Sequence, residues 1–349
     1  MISTPRPFRP RPLFALLAAA LSLAPALPAS ANDPGADGLI GRDVRSGVAA
    51  GGKLWISSFG ALVAIDEATN VRHVEIPNGL IDVAKWKGEV WALRRRADLP
   101  APSPAQARYS AYVVKGVRMF ELPPVLATTA EGPQGLAMSA SGPRLVGRTT
   151  LWTLDRNASR WRETRLRREK APAPPGVMTL AATTDGSAIF VGWNAGEWGG
   201  RLERINTATG AVTTRTTAPV TGLVADPQHP GCVLAAYGLS HLGMTMGQLA
   251  RVCGDAETPV LQHKVGEPAA GQSEPIFGIA ADGDTIWAVS GKTLYRLSPK
   301  GQDSFPLGEW VWLSDLKVTR PAPGAILVLT DLNAHFSTSG STPLVIADP

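Results

Sequence analysis

Two acids occupy one position of a recurring strand pattern that otherwise carries glycine or threonine. Asp82 in "DVAKWKG" and Asp315 in "DLKVTRPAPG" stand where Gly47, Gly135, Thr179, Gly222 and Gly278 stand in the other copies. If these strands line a common channel, the two carboxylates form an acid pair or hold a cation, with Lys85 or Lys317 close by, and neighbouring charge is what tunes such groups for catalysis. The plainer chemistry is that each Asp caps the turn leading into its strand. The five histidines, His73, His229, His241, His263 and His335, are scattered. Of these, His241 and His335 join Asp82 and Asp315 as acid, base or metal-ligand candidates, because both fall in loops between paired strands.

The two cysteines carry a firmer expectation. A hairpin centred on Leu242 and Gly243 places Cys232 opposite Cys253, so in an oxidising compartment they form a cross-strand disulfide. A metal site of His229, Cys232, His241 and Cys253 would need two histidines from opposite ends of that hairpin, and neither a metal nor a cofactor is expected. "SGKT" at Ser290 to Thr293 lacks the earlier glycine of a phosphate-binding loop, since Ile286 stands there, and it sits in a hairpin turn. "DGDT" at Asp282 to Thr285 reads as a turn.

The segment "GWNAGEWGG" sets Trp193, Glu197 and Trp198 among glycines. Exposed rings there would serve a sugar, peptide or protein contact, because a rigid aromatic gives contact area at little entropic cost. The alternative is that both rings are buried in packing. Phe59, Arg148, Met244 and Met246 fall in equivalent loops, and Phe59 and Arg148 complete the candidate binding set.

What must position these residues is a repeat. The strand "GVAAGG" recurs as "DVAKWKG", "GLAMSASG", "TLAATTDG", "GLVADPQHPG", "GIAADGD" and "DLKVTRPAPG". Val48, Val83, Leu136, Leu180, Leu223, Ile279 and Leu316 mark it at a mean spacing of about 45 residues. Each marker strand is followed by a second, such as "LWISS" or "TIWAVS", a third, such as "ALVAID" or "TLYRLS", and a variable fourth. Gly and Pro punctuation without long helical patterns makes the chain all-β, and this period predicts a seven-bladed β-propeller. Sites in such a fold gather where loops converge over one mouth of the channel.

"KLWISSFGALVAIDEATNVRHVEIPNG" resembles the YVTN-type repeat of secreted β-propellers, and "RLERINTATGAV" resembles its second half. Trp55 and Ser58 replace that motif's Tyr and Asn. The resemblance, extending to WD40-like and quinoprotein amine dehydrogenase-like propellers, implies a secreted binding surface and carries over no catalytic residue.

Residues 1–31 have the order of a secretory signal peptide, with Arg6, Arg9 and Arg11, an apolar run and a terminal "ASA". Residues 32–349 are then a single propeller domain. Removing the leader takes three Arg and no acid, leaving 31 basic against 29 acidic residues, which gives no case for nucleic acid. No later segment is long and apolar enough to span a membrane. The run "RWRETRLRREK" reads as a charged outer edge strand.

The terminal "TPLVIADP" aligns with "GALVAIDE" as a third strand, so the segment "GLIGRDV" from Gly38 to Val44 is expected to supply the missing fourth strand and close the ring. The leading functional expectation is a periplasmic or secreted, monomeric binding or scaffold module for an envelope protein or a small-molecule or glycan ligand. The alternative is a propeller hydrolase or lyase at the channel mouth using Asp82, Asp315, His241 and His335.

Overall fold

The computed structural model describes residues 44–306, apart from 59, 67–71, 101, 102, 104, 116, 117, 129, 156, 169–176, 242, 243, 262–272, 291 and 292, together with the backbone of 315–322, 325–331 and 344–347. All described strands fall into sheets that follow the chain. The first blade is β1 (Val44–Ala50), β2 (Lys53–Ser58), β3 (Ala61–Asp66) and β4 (Arg72–Ile76). The second is β5 (Leu80–Trp86), β6 (Glu89–Arg96), β7 (Gln106–Lys115) and β8 (Arg118–Glu121), with β9 (Val125–Thr128) pairing the other half of β7. The third is β10 (Pro133–Ser139), β11 (Gly142–Gly147), β12 (Thr150–Asp155) and β13 (Arg160–Arg165).

The fourth blade has five strands. β14 (Arg167–Arg168) runs parallel along its outer edge, followed in the chain by β15 (Val177–Ala182), β16 (Ala188–Asn194), β17 (Gly200–Asn206) and β18 (Ala211–Thr216). β19 (Val220–Ala225), β20 (Cys232–His241), β21 (Met244–Cys253) and β22 (Ala256–Leu261) make the fifth blade. β23 (Ile276–Asp282), β24 (Thr285–Ser290), β25 (Thr293–Ser298) and β26 (Gly301–Pro306) make the sixth.

The expectation of seven blades is corrected here. Among the described residues six sheets carry the four strands of a blade or more, whereas β27 (Asp315–Ala322), β28 (Ala325–Asp331) and β29 (Leu344–Ala347) form a sheet of three. The expected N-terminal clasp is corrected with it. Val44 belongs to β1 and pairs with Ser58, so part of the segment assigned to the clasp serves the first blade instead. Among the described residues β29 pairs with β28 alone; residues 38–43 lie outside them.

Successive blades from the first to the sixth pack face to face, so the second to the fifth are covered on both faces. Trp55, Leu62 and Ala64 of the first blade pack with Val83, Ala92 and Tyr112 of the second. Phe190 and Leu202 of the fourth pack with Val233 and Ala250 of the fifth. Double coverage explains why second strands read as continuous apolar runs rather than alternating ones. In β16 every residue from Ala188 to Trp193 is buried.

The first strands face the channel and are bulged where they begin. In the second, third, fifth and sixth blades one residue is skipped in the ladder, Ile81, Gln134, Thr221 and Phe277 respectively. Each skipped residue directly precedes the repeat position of Asp82, Gly135, Gly222 and Gly278. Such bulges sharpen twist and re-aim side chains at a rim. The glycines there serve close approach: a Cβ on Gly135 would stand 2.5 Å from the Leu180 side chain of the next blade, and one on Gly222 2.7 Å from Ile279.

Candidate functional site

Where Asp82 replaces that glycine, its carboxylate fills the inter-blade gap. Oδ1 accepts the Val83 backbone N–H and Oδ2 accepts the Leu136 N–H of the next blade, each at 2.8 Å. The side chain therefore caps its own strand and ties the second blade to the third. Thr221 ties the fifth blade to the sixth in a related way, its hydroxyl donating to the carbonyls of Ala236 and Ile276.

At the mouth end of the third and fourth blades, charged groups converge on an indole. Trp193, sixth of the seven residues of β16, is 1% exposed, and the Arg148 guanidinium lies 5.5 Å from its ring centroid. Arg201 in β17 is the cross-strand neighbour of Trp193. Two residues on, and so on the same face, Glu203 is fully buried. It accepts a forked pair from Arg168 at 3.0–3.1 Å and a contact from Arg201 at 3.3 Å. Arg168 also donates to the Arg148 carbonyl. This set joins Arg148, predicted from the loops, to Arg168, Arg201 and Glu203, which sequence reasoning missed. The signal lay in "RLERIN", where Glu203 shares strand parity with the buried Ile205.

Five residues beyond Trp193, Trp198 is 85% exposed. A single 3-10 turn, Gly196–Trp198, carries it. Gly196 and Gly199 bracket the turn with φ of 61° and 89°, values that favour glycine. The Asn194 side chain accepts the Gly196 N–H at 2.8 Å and the Ala195 N–H bonds the Gly199 carbonyl at 2.9 Å. Glu197 is exposed on the same turn.

The turn lies beside β20 of the fifth blade. β20 and β21 are ten residues each, against six or seven in most blades, so their hairpin rises above the ring. Leu239 pairs with Met246 on that raised part. Both lie on the face that carries Val233, Ala235 and Tyr237 into the packing with the fourth blade. Trp198, Leu239 and Met246, the last 37% exposed, therefore form an apolar rim between the fourth and fifth blades.

Two further buried carboxylates are held structurally. Glu274, 4% exposed, accepts from Tyr295 at 2.8 Å and from the Ser290 hydroxyl; burial, then the adjoining carboxylate, pushes the Tyr295 phenol up. Asp226 is 1% exposed and accepts from Arg251 at 2.5 Å, while His229 Nδ1 lies 3.2 Å away. Burial opposes its charge, yet the Arg251 hydrogen bond and the Gln228 N–H hold its carboxyl below the usual range. Next to this cluster, Cys232 and Cys253 form the expected disulfide.

Of the four candidate catalytic residues, Asp82 alone has a described side chain. Asp82 is in the second blade and His241 in the fifth; Asp315 begins β27, paired with Asp331. β1 lies between β5 and β27, touching both. The side chains of Asp315 and His241, and all of His335 and Phe59, lie outside the described residues. Among the described residues, no three His, Cys, Asp or Glu side chains are grouped to hold a metal, and no helix is long and apolar enough to cross a membrane.

The architecture defines a β-propeller. No protein-family model matches the chain, and no curated protein matches its sequence. Solved propellers resemble its fold. One is the extracellular domain of a putative one-component system from B. thetaiotaomicron, at a TM-score of 0.50 and 14% identity, the match covering 84% of this chain and 38% of that one. The β-propeller domain of the Trilobed protease from Pyrococcus furiosus, described as having an open velcro topology, has a TM-score of 0.50 at 10% identity, with 88% and 94% covered. A chain of the Mitotic Checkpoint Complex has a TM-score of 0.51 at 11% identity, with 94% of each covered. At such identities the likeness is one of fold. The chain spans about two fifths of the length of the B. thetaiotaomicron structure.

Proposed function

We propose that the chain is a periplasmic or secreted binding module whose contact surface is the apolar rim between the fourth and fifth blades. The exposure of Trp198 carries this reading. A tryptophan 85% open to solvent, on a turn fixed by two glycines and two hydrogen bonds, is preorganised for contact and contributes nothing to a core. Met246 and Leu239 extend it with adaptable apolar area. The YVTN-like repeat and the leader-like residues 1–31 place the module outside the cytoplasm in this reading. An extracellular domain among the propellers of similar fold supports that setting.

The commitment of Asp82 to two backbone amides weighs against the hydrolase or lyase alternative, because a carboxylate so engaged is a poor acid, base or cation ligand. The test is capture from an envelope extract with the tagged mature chain, comparing the parent with Trp198→Ala. A protein or glycan retained by the parent and lost by the variant is the expected result. Identical captured material from both would remove the rim from the binding surface.

A further inference from the structure

We infer that Arg144 holds an oxyanion at the end of the ring away from the mouth, in the gap between the third and fourth blades, with the Ser141 hydroxyl as a second donor. This is a different surface from the Trp198 rim, whose turn lies beside β20 of the fifth blade.

The first observation is a place in the repeat. Opposite the residue that follows each marker, the second strand carries Leu54, Trp91, Phe190, Leu234 and Trp287 in the first, second, fourth, fifth and sixth blades. All five are buried, and Trp91, Phe190 and Leu234 pack into the gap to the following blade. In the third blade that rung holds Arg144, opposite Ala137. A cation therefore stands where the pattern puts an apolar group. It points the same way, because Nη1 donates to the Ser139 hydroxyl at 3.1 Å and to the carbonyl of Gly186, in the fourth blade, at 3.4 Å.

The second observation is which edge of the guanidinium is empty. Nε is buried without a partner, and Nη2 has none among the described residues. Nε–H and Nη2–H are the parallel pair that grips a carboxylate, sulfate or phosphate. Arg96, Arg168 and Arg296 use that edge in this chain, closing it on Asp98, Glu203 and Asp303 at 2.8–3.1 Å. Arg144 has no such acid among the described residues. The carboxylate of the adjoining turn, Asp185, accepts from Thr183 and Ser187 instead. Burial pushes the Arg144 guanidinium down from its ordinary value, and no carboxylate raises it in return. Nε of Arg204 and of Arg215 is also unmatched, but Asp185 lies near the first and Asp255 is bonded to the second. Charge withdrawn from water is costly without a counter-ion, so the empty edge marks one that comes from outside.

Arg144 is only half-buried, and the turn beside it, Ala140 and Ser141, is exposed. The Ser141 hydroxyl lies 2.9 Å from that of Ser139 and is free to rotate outward as a donor. The Ser139 carbonyl accepts the Trp86 indole N–H at 2.7 Å, and Lys87 Nζ stands 4.7 Å from the Trp86 ring, which adds positive charge on that side. An incoming anion meets Nη2 first, and rotation of the side chain within the gap completes the fork on Nε. A carboxylate of an acidic sugar and an inorganic sulfate or phosphate share this chemistry.

Isothermal titration of the mature chain at constant ionic strength tests the site, with sodium sulfate, sodium phosphate and sodium glucuronate as probes and sodium chloride as control. Saturable binding of at least one probe is expected, and which one binds separates the inorganic source from the sugar carboxylate. Arg144→Met should weaken it about 10-fold or more, as for a lost charge-assisted pair, and Ser141→Ala about 2- to 10-fold. Methionine suits the apolar pattern of this rung, so the first variant should fold. Arg144→Lys keeps the charge without the fork and should bind between the parent and Arg144→Met; it decides if Arg144→Met fails to fold. The inference is overturned if no probe binds beyond chloride. It is overturned equally if the deciding variant binds as the parent does, which would mean adventitious ions only. Trp198→Ala should leave the titration unchanged, so the site and the rim stand or fall independently.

Discussion

The Asp82 carboxylate accepts the backbone N–H of Leu136 at 2.8 Å, across 54 residues of sequence and the gap between two blades. The same carboxylate caps its own strand through the Val83 N–H. Asp82→Ala should leave the buried Leu136 N–H without its acceptor and cost about 1–3 kcal/mol. Calorimetric melting reads the loss. Partner capture should be unaffected, and a variant that melts like the parent would show that the clamp contributes nothing.

The second expectation concerns acid. Asp226 titrates below its unfolded range because Arg251 and the Gln228 N–H favour its charged form against the opposition of burial. A carboxyl whose folded pKa is depressed contributes stability that is fully present above its unfolded pKa of about 4 and fades as pH falls through the folded value. Denaturation midpoints below about pH 4 should therefore drop for the parent more steeply than for Asp226→Asn. Parallel curves would remove Asp226 from the acid response.

The disulfide closes a hairpin of 21 residues' separation. Replacing Cys232 and Cys253 together by Ser should cost about 3 kcal/mol by the loop-closure account. Melting the oxidised parent, the reduced parent and the double variant checks this, with the last two expected to coincide.

Arg168→Met should be more damaging than its surface-like sequence context suggests. It removes the forked partner of the fully buried Glu203, leaving Arg201, at 3.3 Å, as its partner among the described residues. Breaking a buried pair from one side costs about 3–5 kcal/mol. Adding Glu203→Gln to that variant should recover part of the loss in a denaturant titration, because the uncompensated charge is gone.

Period and pairing within a blade were legible in the sequence. The arithmetic that set Cys232 against Cys253 depends only on hairpin symmetry, and their ladder pairing is the one observed. Relations between blades were not legible. The partner of Asp82 depends on how two sheets approach, which no strand period encodes, and so beside the plainer capping role the residue also read as half of an acid pair. Trp193 and Trp198 share one short segment, yet are 1% and 85% exposed. The first lies inside the ladder opposite Arg201 and the second on the turn beyond it, a difference of place along the hairpin that composition hides. Basic residues around Arg167 read as a solvated edge, whereas Arg168 reaches inward to Glu203. The last unit carried the text of a blade and shows three strands among the described residues.

β14 is only two residues long, but it changes how the molecule should breathe. The chain leaves the outer strand of the third blade and immediately runs parallel to Ala211 and Val212 of the fourth. The Leu166 N–H is bonded to Thr149 and the Arg167 N–H to Gly210, with Leu166 buried between. Single main-chain bonds also join other neighbours, Leu80 N–H to Gly60 and Asp185 N–H to Pro230, but here a strand segment is itself shared, so opening must break ladder bonds. Amide exchange should therefore report these two blades as one cooperative block, slower than the others and lost in a single step.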